Sequence, residues 1–556
     1  MRYIDDKRRE FIFPERIVLL EGDTAGSEFL LKEKELQISV SETDLFVIKG
    51  KASVILDYGC EHCGGVRILT ERAYSAEGQN VHPKVRIRFG ESVSETCADI
   101  GFKGATNDHA VRDMEVIIGQ YSDMEFGNTG FRFVRLDFCD GDAIIRIKSI
   151  VAVSVYRDLP YIGSFKCDDE LLNNIYSVAR RTCHLTMQDM LWDGIKRDRL
   201  VWIGDMHPEM MTIRCVFGYD KCIEEGLLYS VRHFKLPKYI NEIPSYSMWF
   251  VIILYDWYMQ NKNTEFVRGQ LDYIERLYAQ FAECVNENGE LILDDYFFDW
   301  FTRGFEGCGF DGATESKTGV QALLYISLNR AIELYNIFGK DSGKLVALKE
   351  RLSRFKLPMA KTKQAMAFSV LAGCVKPDSE ALQCLLRGNS RGLSTFMSYY
   401  VLKALAENGY EEKALEILKE YYGAMLDKGA TTFWEDFNVD WVQGSGRIDR
   451  LPEKGEKDIH GDFGNFCYKG FRHSLCHGWA SGPVTFLTEF VMGVKVVEAG
   501  CRKLIIRPNL GNLNYVIGDY PTPYGVVHIE HRKINGKTQT TFTAPDEVEV
   551  EVHNKE

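Results

Sequence analysis

Residues 168–179 read DDELLNNIYSVA. Here the apolar residues stop recurring at about every second position and begin to recur about every 3.6 positions, the period of a helix with one buried face. Asp168 is predicted to cap this helix, because a carboxylate satisfies free backbone N–H groups and suits the positive helix end. A helical domain is therefore expected to begin near Ser164.

The chain before this point is patterned as strands. From about residue 16 to residue 156, short alternating or apolar runs are separated by turn residues such as Tyr58-Gly59 and Asp140-Gly141. This spacing is typical of proteins built from many short antiparallel strands. It predicts an N-terminal β-sandwich domain over residues 1–160.

The chain after residue 179 repeats the helical pattern with mostly short connections and no strand pattern in between. The further helical segments are 222–234, 247–260, 265–286, 320–338, 343–355, 379–386, 395–408, 411–426 and 482–492. A solenoid of 34-residue repeats would show self-similarity at a fixed period, and the sequence shows none. Paired helices wound into a toroid over residues 161–493 are predicted instead.

Strand patterns return in residues 494–556 and predict a small C-terminal β-sandwich domain. The predicted fold class is therefore multidomain α+β.

Composition and charge limit the possible partners and compartment. Lys and Arg total 67 against 80 Asp and Glu, a net charge of -13, with no basic stripe that would attract nucleic acid. The N-terminus has no apolar stretch of signal-peptide length, and the longest apolar runs, such as residues 250–254, are too short to span a bilayer. Fifteen cysteines without a regular framework indicate reduced thiols. We expect a cytoplasmic protein with no membrane partner, and the oligomeric state is left open.

The motif Cys60-Glu61-His62-Cys63 has the spacing of a zinc knuckle or a redox pair. A structural zinc needs four ligands, and no second Cys or His pair follows at zinc-ribbon spacing. A turn between strands is therefore favoured over a metal site here.

Residues 192–205, WDGIKRDRLVWIGD, combine three carboxylates and three cations with two glycines, a composition that favours a loop. The charges could form a solvated cluster of salt bridges. They alternate, however, with Trp192, Leu200, Trp202 and Ile203, which are normally buried and would carry their neighbours into a cleft. A carboxylic acid in such a cleft can have a raised pKa, as a general acid requires.

Two later segments have a similar character. Residues 429–437, GATTFWEDF, place adjacent acids between aromatic residues, where Glu435 is either a structural cap or a functional carboxylate. Residues 471–483, FRHSLCHGWASGP, contain two histidines and a cysteine but no nearby third metal ligand or paired base. His477 is therefore expected to bind a polar ligand such as a sugar, and no metal is predicted.

These segments together resemble glycoside hydrolase family 78, the bacterial α-L-rhamnosidases. The resemblance rests on the pattern Asp193-x4-Asp198-Arg199-Leu200-x-Trp202-x-Gly204-Asp205, and on TTFWE at 431–435 and SLCH at 474–477. It extends from about residue 160 to the end of the chain. It implies an (α/α)6 catalytic toroid with flanking β-domains, and a small glycoside or oligosaccharide as substrate.

The resemblance also implies roles for individual residues. The family's general acid falls on Asp198 and the base that activates water on Glu435, with inversion at the anomeric carbon and no metal or cofactor. The residues implied to bind the sugar are Asp193, Arg197, Trp202, Asp205 and His477, with Trp249 and Trp300 expected among the aromatic residues that line the hollow of the toroid. Many members carry Glu where this chain has Asp198, and Glu209 is a more distant alternative acid.

Two other interpretations are compatible with the sequence. Another (α/α)-barrel carbohydrate enzyme, such as a fucosidase, a glucosidase or a phosphorylase, would share the fold, although phosphorolysis needs an anion pocket where Glu435 stands. A non-catalytic glycan-binding relative is expected to lack one of the two carboxylates, and both are present.

Overall fold

The computed structural model describes residue 5, residues 7–300 and residues 311–553. The N-terminal region forms one antiparallel sheet with strand order β1-β7-β3-β6-β4-β5, in which β2 also pairs with β3. Its strands are β1 (Lys7–Ile12), β2 (Arg16–Ala25), β3 (Phe46–Ser75), β4 (Lys84–Gly90), β5 (Asp113–Ile117), β6 (Ser122–Phe138) and β7 (Ala143–Arg157). A short helix, α1 (Val93–Cys97), follows β4. Alternate strand residues form a separate apolar core.

The motif Cys60–Cys63 lies inside β3, where the pairing with β6 shifts register between Asp57 and His62. The prediction of a turn between strands at this motif is therefore wrong, because strand β3 continues through an irregularity in its pairing. Cys63 is buried beside Leu185 and Cys476, whereas Cys60 lies 3.8 Å from His62 Nε2. Burial raises the pKa of the Cys63 thiol to about 11, which disfavours a redox role.

The central region is helical. Its helices are α2 (Glu170–Thr186), α3 (Ile203–Val216), α4 (Cys222–His233), α5 (Pro244–Asn261), α6 (Thr264–Arg268), α7 (Leu271–Cys284), α8 (Gly312–Ile337), α9 (Gly343–Leu352), α10 (Lys363–Leu371), α11 (Ser379–Leu386), α12 (Ser398–Ala406), α13 (Glu411–Asp427) and α14 (Pro483–Phe486). A π-helical turn, Leu487–Val491, continues α14.

Six of these helices form a closed circuit of contacts. α3 packs against α5, α5 against α8, α8 against α10, and α10 against α12; α12 packs against α14, which returns to α3. The helices between them in the chain pack on these six, for example α4 on α3, α9 on α8 and α13 on α12. The large core of the molecule lies between these helices.

Two helices of the circuit were not predicted from sequence. Every residue of α3 is buried, and every residue of α10 except Leu371 is buried. A helix that is buried on all sides shows no apolar period, which explains why its pattern was missed. The cap of α2 also differs: Asp169 accepts hydrogen bonds from the N–H groups of Leu171 and Leu172, whereas Asp168 bonds to Asn514.

The C-terminal region forms two small sheets. One has the order β14-β10-β9 and the other β13-β12-β11-β8. Their strands are β8 (Ser164–Cys167), β9 (Val494–Glu498), β10 (Lys503–Ile506), β11 (Tyr515–Thr522), β12 (Gly525–Ile534), β13 (Lys537–Thr543) and β14 (Glu549–Val552). Strand β8 precedes the helices in sequence, yet it completes the C-terminal sheet by pairing with β11. Among the described residues, no helix is both long and apolar enough to cross a bilayer.

Candidate active site

The three segments singled out by sequence converge on one cavity of about 250 Å³. Its walls are formed by His109, Asp193, Arg197, Asp198, Trp202, Asp205, Ile243, Tyr246, Trp300, Glu435, Tyr468, Arg472, His477 and Trp479. All predicted site residues except Trp249 are among them. The pairing of Gly194 with His477 joins the first segment to the third.

The first segment forms a loop that leads into α3. Asp198 and Arg199 both have left-handed backbone conformations, with φ of 52° and 59°. Such a conformation costs a non-glycine residue about 1–2 kcal/mol, so the surrounding contacts must hold it. Trp202 Nε1 donates to Asp198 Oδ2 at 3.2 Å, and the Leu200 N–H donates to Asp193 Oδ1 at 2.9 Å. These bonds fix the direction of both carboxylates.

Asp205 lies in the first turn of α3. Tyr246 donates from its hydroxyl to Asp205 Oδ2 at 3.2 Å. Gly204 permits this approach, because a Cβ there would lie 2.4 Å from the Tyr246 ring. Close packing against the Tyr246 ring therefore explains why the pattern has a glycine at position 204 in this chain.

Glu435 is buried and is held by the third segment. The Ser474 N–H donates to Glu435 Oε2 at 3.1 Å, and the Glu435 N–H donates to the Ser474 carbonyl at 3.0 Å. Trp479 Nε1 donates to the Glu435 carbonyl at 2.9 Å. The carboxylate thus has a defined position although its residue lies in a loop.

Arg197 links the two carboxylates proposed from sequence as acid and base. Its Nη2 lies 3.5 Å from Asp198 Oδ1 and 3.3 Å from Glu435 Oε1. The two oxygens are therefore at most about 7 Å apart, a limit that admits both the short end of the roughly 6.5–9.5 Å spacing of inverting glycosidases and the roughly 5–5.5 Å spacing of retaining ones. The guanidinium also lies 4.2 Å from the centre of the Tyr468 ring.

His477 is the second cation of the cavity. Its Nε2 lies 2.9 Å from Asp205 Oδ1 and its Nδ1 lies 3.5 Å from Glu435 Oε1. Burial alone would lower the pKa of the imidazole, but the carboxylates of Glu435, Asp205 and Asp193 outweigh it and raise the pKa to about 9. His477 therefore carries its proton at neutral pH.

Four carboxylates line this cavity, and its walls also contain the cations Arg197, Arg472 and His477. Burial raises the pKa of Asp193 well above its usual range, and the neighbouring carboxylates of Asp205 and Asp198 add to the effect. Burial also raises the pKa of Asp205, against the opposing influence of His477 and Tyr246. Burial therefore disfavours the charged form of both Asp193 and Asp205.

The two tryptophans predicted as sugar contacts lie in different surroundings. Trp300 lines the cavity, is 38% exposed and packs against Phe297 and Tyr468. Trp249 is buried among the helices, with its ring centre 4.9 Å from that of His207 and 5.3 Å from that of Tyr400. The prediction for Trp249 is corrected accordingly, since this ring fills the core.

Several cavity residues were not identified from the sequence. Tyr246 and Tyr468 belong to aromatic-rich segments that resemble core segments, whereas Trp479 lies within the third segment, two residues after His477. Arg472 lies within the third segment, where its pairing with Asp108 could not be foreseen. His109 comes from the N-terminal domain and lies far from any of the motifs. Only the positions of Arg472 and Trp479, each two residues from the SLCH motif, offered a signal.

Glu209, the alternative acid, is buried in α3 and accepts a hydrogen bond from Thr186 Oγ1 at 3.0 Å. It is not part of the cavity wall.

Glu91, Glu95 and His460 lie close enough together to hold a metal ion. The Lys196 ammonium already lies 2.8 Å from Glu91 Oε2 and 3.2 Å from Glu95 Oε1, and so provides the cation at this cluster.

Comparison with known proteins identifies the family. Residues 160–367 match the bacterial α-L-rhamnosidase six-hairpin glycosidase domain, and residues 493–554 match the bacterial α-L-rhamnosidase C-terminal domain. The chain belongs to glycoside hydrolase family 78, the bacterial α-L-rhamnosidases. The first family match includes Asp193, Asp198 and Asp205, whereas Glu435 and His477 lie beyond it.

The individual relatives are distant in sequence. An α-L-rhamnosidase of Formosa agariphila is 21% identical over 491 residues, which cover 76% of this chain and 47% of that protein. A family 78 rhamnosidase structure from Bacillus sp. GL1 has a TM-score of 0.73 at 20% identity and covers 93% of this chain and 55% of that one. A Klebsiella oxytoca rhamnosidase structure with rhamnose bound has a TM-score of 0.67 at 19% identity, and the match covers 87% of this chain and 96% of that one.

The chain thus spans about half the length of the first two of these relatives. At such identities the structural likeness establishes the multidomain α+β fold alone.

Proposed function

We propose that the chain is an inverting glycoside hydrolase that removes terminal α-L-rhamnose, or a similar deoxy sugar, from small glycosides or oligosaccharides. The observation that carries this proposal is the meeting of Asp198 and Glu435 at one cavity, with Arg197 between them. The two carboxylates come from segments far apart in the chain, and their residue types suit acid and base catalysis of glycoside hydrolysis.

In the proposed reaction, Asp198 protonates the glycosidic oxygen as its bond to the anomeric carbon breaks. Glu435 removes a proton from a water molecule that attacks the opposite face of the sugar ring. The water oxygen becomes the new anomeric hydroxyl, and solvent returns the proton from Glu435 to Asp198. The side chain of Asp198 is 19% exposed against 1% for Glu435, which suits an acid that reaches outward to the leaving group.

The charge of the cavity supports the same chemistry. Positive charge develops on the sugar ring in the transition state, and fixed carboxylates around it lower the energy of that charge. Asp205 is positioned by Tyr246 and His477, while Glu435 is positioned by Ser474. A phosphorylase is disfavoured, because several carboxylates at the reacting face repel an incoming phosphate.

The walls of the cavity suit a deoxy sugar. Trp202, Tyr246, Ile243 and Trp300 provide apolar surface, on which the less polar face and the methyl group of such a sugar can pack. Asp193, Arg197, Asp205 and His477 provide the polar groups that would bind its hydroxyls. The limited volume, about 250 Å³, favours one terminal sugar over an internal segment of a polymer.

We further propose that the closed circuit of six helices is the inner layer of an (α/α)6 toroid. The domain limits proposed are those of the sequence, 1–160, 161–493 and 494–556, with β8 contributed to the last domain. The arrangement of α3, α5, α8, α10, α12 and α14 supports this interpretation. A cytoplasmic location is proposed from the free thiols of the described cysteines.

Hydrolysis of a panel of p-nitrophenyl glycosides tests the proposal. The panel contains α-L-rhamnoside, α-L-fucoside, β-D-glucoside and α-D-glucoside, each with and without phosphate. We expect release from the rhamnoside alone, independent of phosphate, and β-L-rhamnose as the first product seen by NMR before mutarotation. Activity only on another glycoside would contradict α-L-rhamnose as the substrate. If α-L-rhamnose were the first product, inversion would be excluded. Inactivity on every glycoside of the panel would contradict the assignment as an enzyme.

A further inference from the structure

Lys196 is a buried cation that joins three separate parts of the chain. Its Nζ lies 2.8 Å from Glu91 Oε2 and 3.2 Å from Glu95 Oε1, and it donates to the carbonyls of Phe471 at 3.0 Å and His473 at 2.6 Å. The two glutamates belong to the N-terminal domain, in and just before α1. Lys196 itself lies in the loop that carries Asp198, and the two carbonyls belong to the segment that holds Glu435.

Glu91 extends this network to the proposed base. Its Oε2 accepts a hydrogen bond from the Leu475 N–H at 2.6 Å, and its Oε1 accepts one from Ser474 Oγ at 3.2 Å. The N–H of the same Ser474 donates to Glu435 Oε2 at 3.1 Å. A single residue of the N-terminal domain therefore holds the residue that orients Glu435.

The network is closed to water and has alternating charges. The side chain of Lys196 is 9% exposed, and those of Glu91 and Glu95 are almost completely buried. Burial opposes the charge on Lys196, but Glu91 and Glu95 outweigh it and raise its pKa. Because a buried charge is stable only beside its partners, the three side chains fix one another's positions.

We propose that Lys196, together with Glu91 and Glu95 of the N-terminal domain, positions Asp198 and Glu435 for catalysis. None of the three lines the cavity, so they act through the loop before Asp198 and through Ser474. The N-terminal β-domain is then a working part of the active site. This inference rests on the roles proposed above for Asp198 and Glu435.

The first test compares Lys196→Met with the wild-type chain on p-nitrophenyl α-L-rhamnoside. Misplacement of catalytic groups by an ångström lowers turnover strongly, so we expect kcat to fall at least about tenfold while KM changes less than about threefold. Lys196→Arg keeps the positive charge and should recover part of the lost kcat. A kcat per folded molecule equal to that of the wild type would overturn the proposal.

Lys148→Met is the matched control. Lys148 is a similarly buried lysine of the N-terminal sheet, 2.8 Å from Glu42 Oε1, and it has no contact with the catalytic segments. Its loss should lower the melting temperature without changing kcat. An equal fall of kcat in both variants would show that Lys196 has only the general structural role of a buried ion pair.

The double variant Lys196→Met/Glu91→Gln separates stability from positioning. It removes one charge of each sign, so its melting temperature should be higher than that of Lys196→Met. Its kcat should remain as low as that of Lys196→Met. If Lys196→Met does not fold, Glu91→Gln alone, which is nearly isosteric, provides the same comparison of kcat and KM. Recovery of kcat together with melting temperature would contradict a positioning role.

A crystal structure of Lys196→Met tests the inference independently of substrate. We expect the distance from the Ser474 nitrogen to Glu435 Oε2 to lengthen beyond hydrogen-bonding range, from its present 3.1 Å. An unmoved Ser474 and an unmoved Asp198 loop would overturn the inference. Failure of the proposed function would be seen separately, as a wild-type chain that hydrolyses no rhamnoside.

Discussion

His109 Nε2, from the N-terminal domain, lies 3.4 Å from Asp198 Oδ1 at the wall of the cavity. Arg472 contacts the same ring nitrogen, since its Nη2 lies 3.2 Å from His109 Nε2, and this Nη2 also lies 2.7 Å from Asp108 Oδ2. The carboxylate proposed to protonate the leaving group is therefore in contact with a second domain.

We expect His109→Ala to lower kcat/KM on p-nitrophenyl α-L-rhamnoside about fivefold, because one polar contact with Asp198 is worth about 1 kcal/mol. The control is His528→Ala, which removes a histidine 2.8 Å from Asp519 on the exposed surface of the C-terminal sheet. That variant should keep wild-type kinetics. An unchanged kcat/KM in His109→Ala would show that the contact has no part in turnover.

Asp193→Asn should fold with a melting temperature close to that of the wild type. Burial and the neighbouring carboxylates disfavour the charge on Asp193 and raise its pKa well above its usual range, so the neutral asparagine, which has nearly the same size, should cost little stability here. Thermal unfolding at pH 7 checks this. A large fall in melting temperature would mean that Asp193 is ionised and that its charge holds the cavity together.

The stability of the protein should depend on the proton of His477. The pKa of this residue is raised to about 9 in the folded chain, whereas an unfolded histidine has a value of about 6.5. Its ion pairs therefore contribute fully below about pH 6.5, and the contribution is lost as the pH rises through about 9. The difference corresponds to about 3 kcal/mol.

Denaturant unfolding of the wild type and of His477→Gln between pH 6 and 10 measures this contribution. We expect the free energy of unfolding to fall with rising pH in the wild type and to fall less in the variant. Parallel pH profiles for the two proteins would contradict a raised pKa at His477.

The sequence predicted most helices and the segments of the site, and the exceptions have physical causes. Helix α3 and helix α10 are buried on all sides and therefore have no apolar stripe to detect. Trp249 and Trp300 lie in different surroundings, because one is buried against His207 and the other lines the cavity. Aromatic composition alone cannot distinguish these two positions.

Contacts between distant segments were the hardest features to predict. The clusters around Asp198, Glu435 and His477 could be found because unusual charges stand beside aromatic residues. His109 has no such neighbours, and its place at the cavity depends on how the N-terminal sheet packs against the helices. The same is true of Glu91, which contacts Lys196 only in the folded chain.

The most direct test of the catalytic account is the kcat of Asp198→Asn and Glu435→Gln on p-nitrophenyl α-L-rhamnoside, measured beside the wild type. Each variant keeps the size of its side chain, so both should fold normally. Acid and base groups contribute about 10² to 10⁴ in rate, and we expect each variant to lose at least about a hundredfold in kcat. Near-wild-type turnover in either variant would contradict the role assigned to that carboxylate.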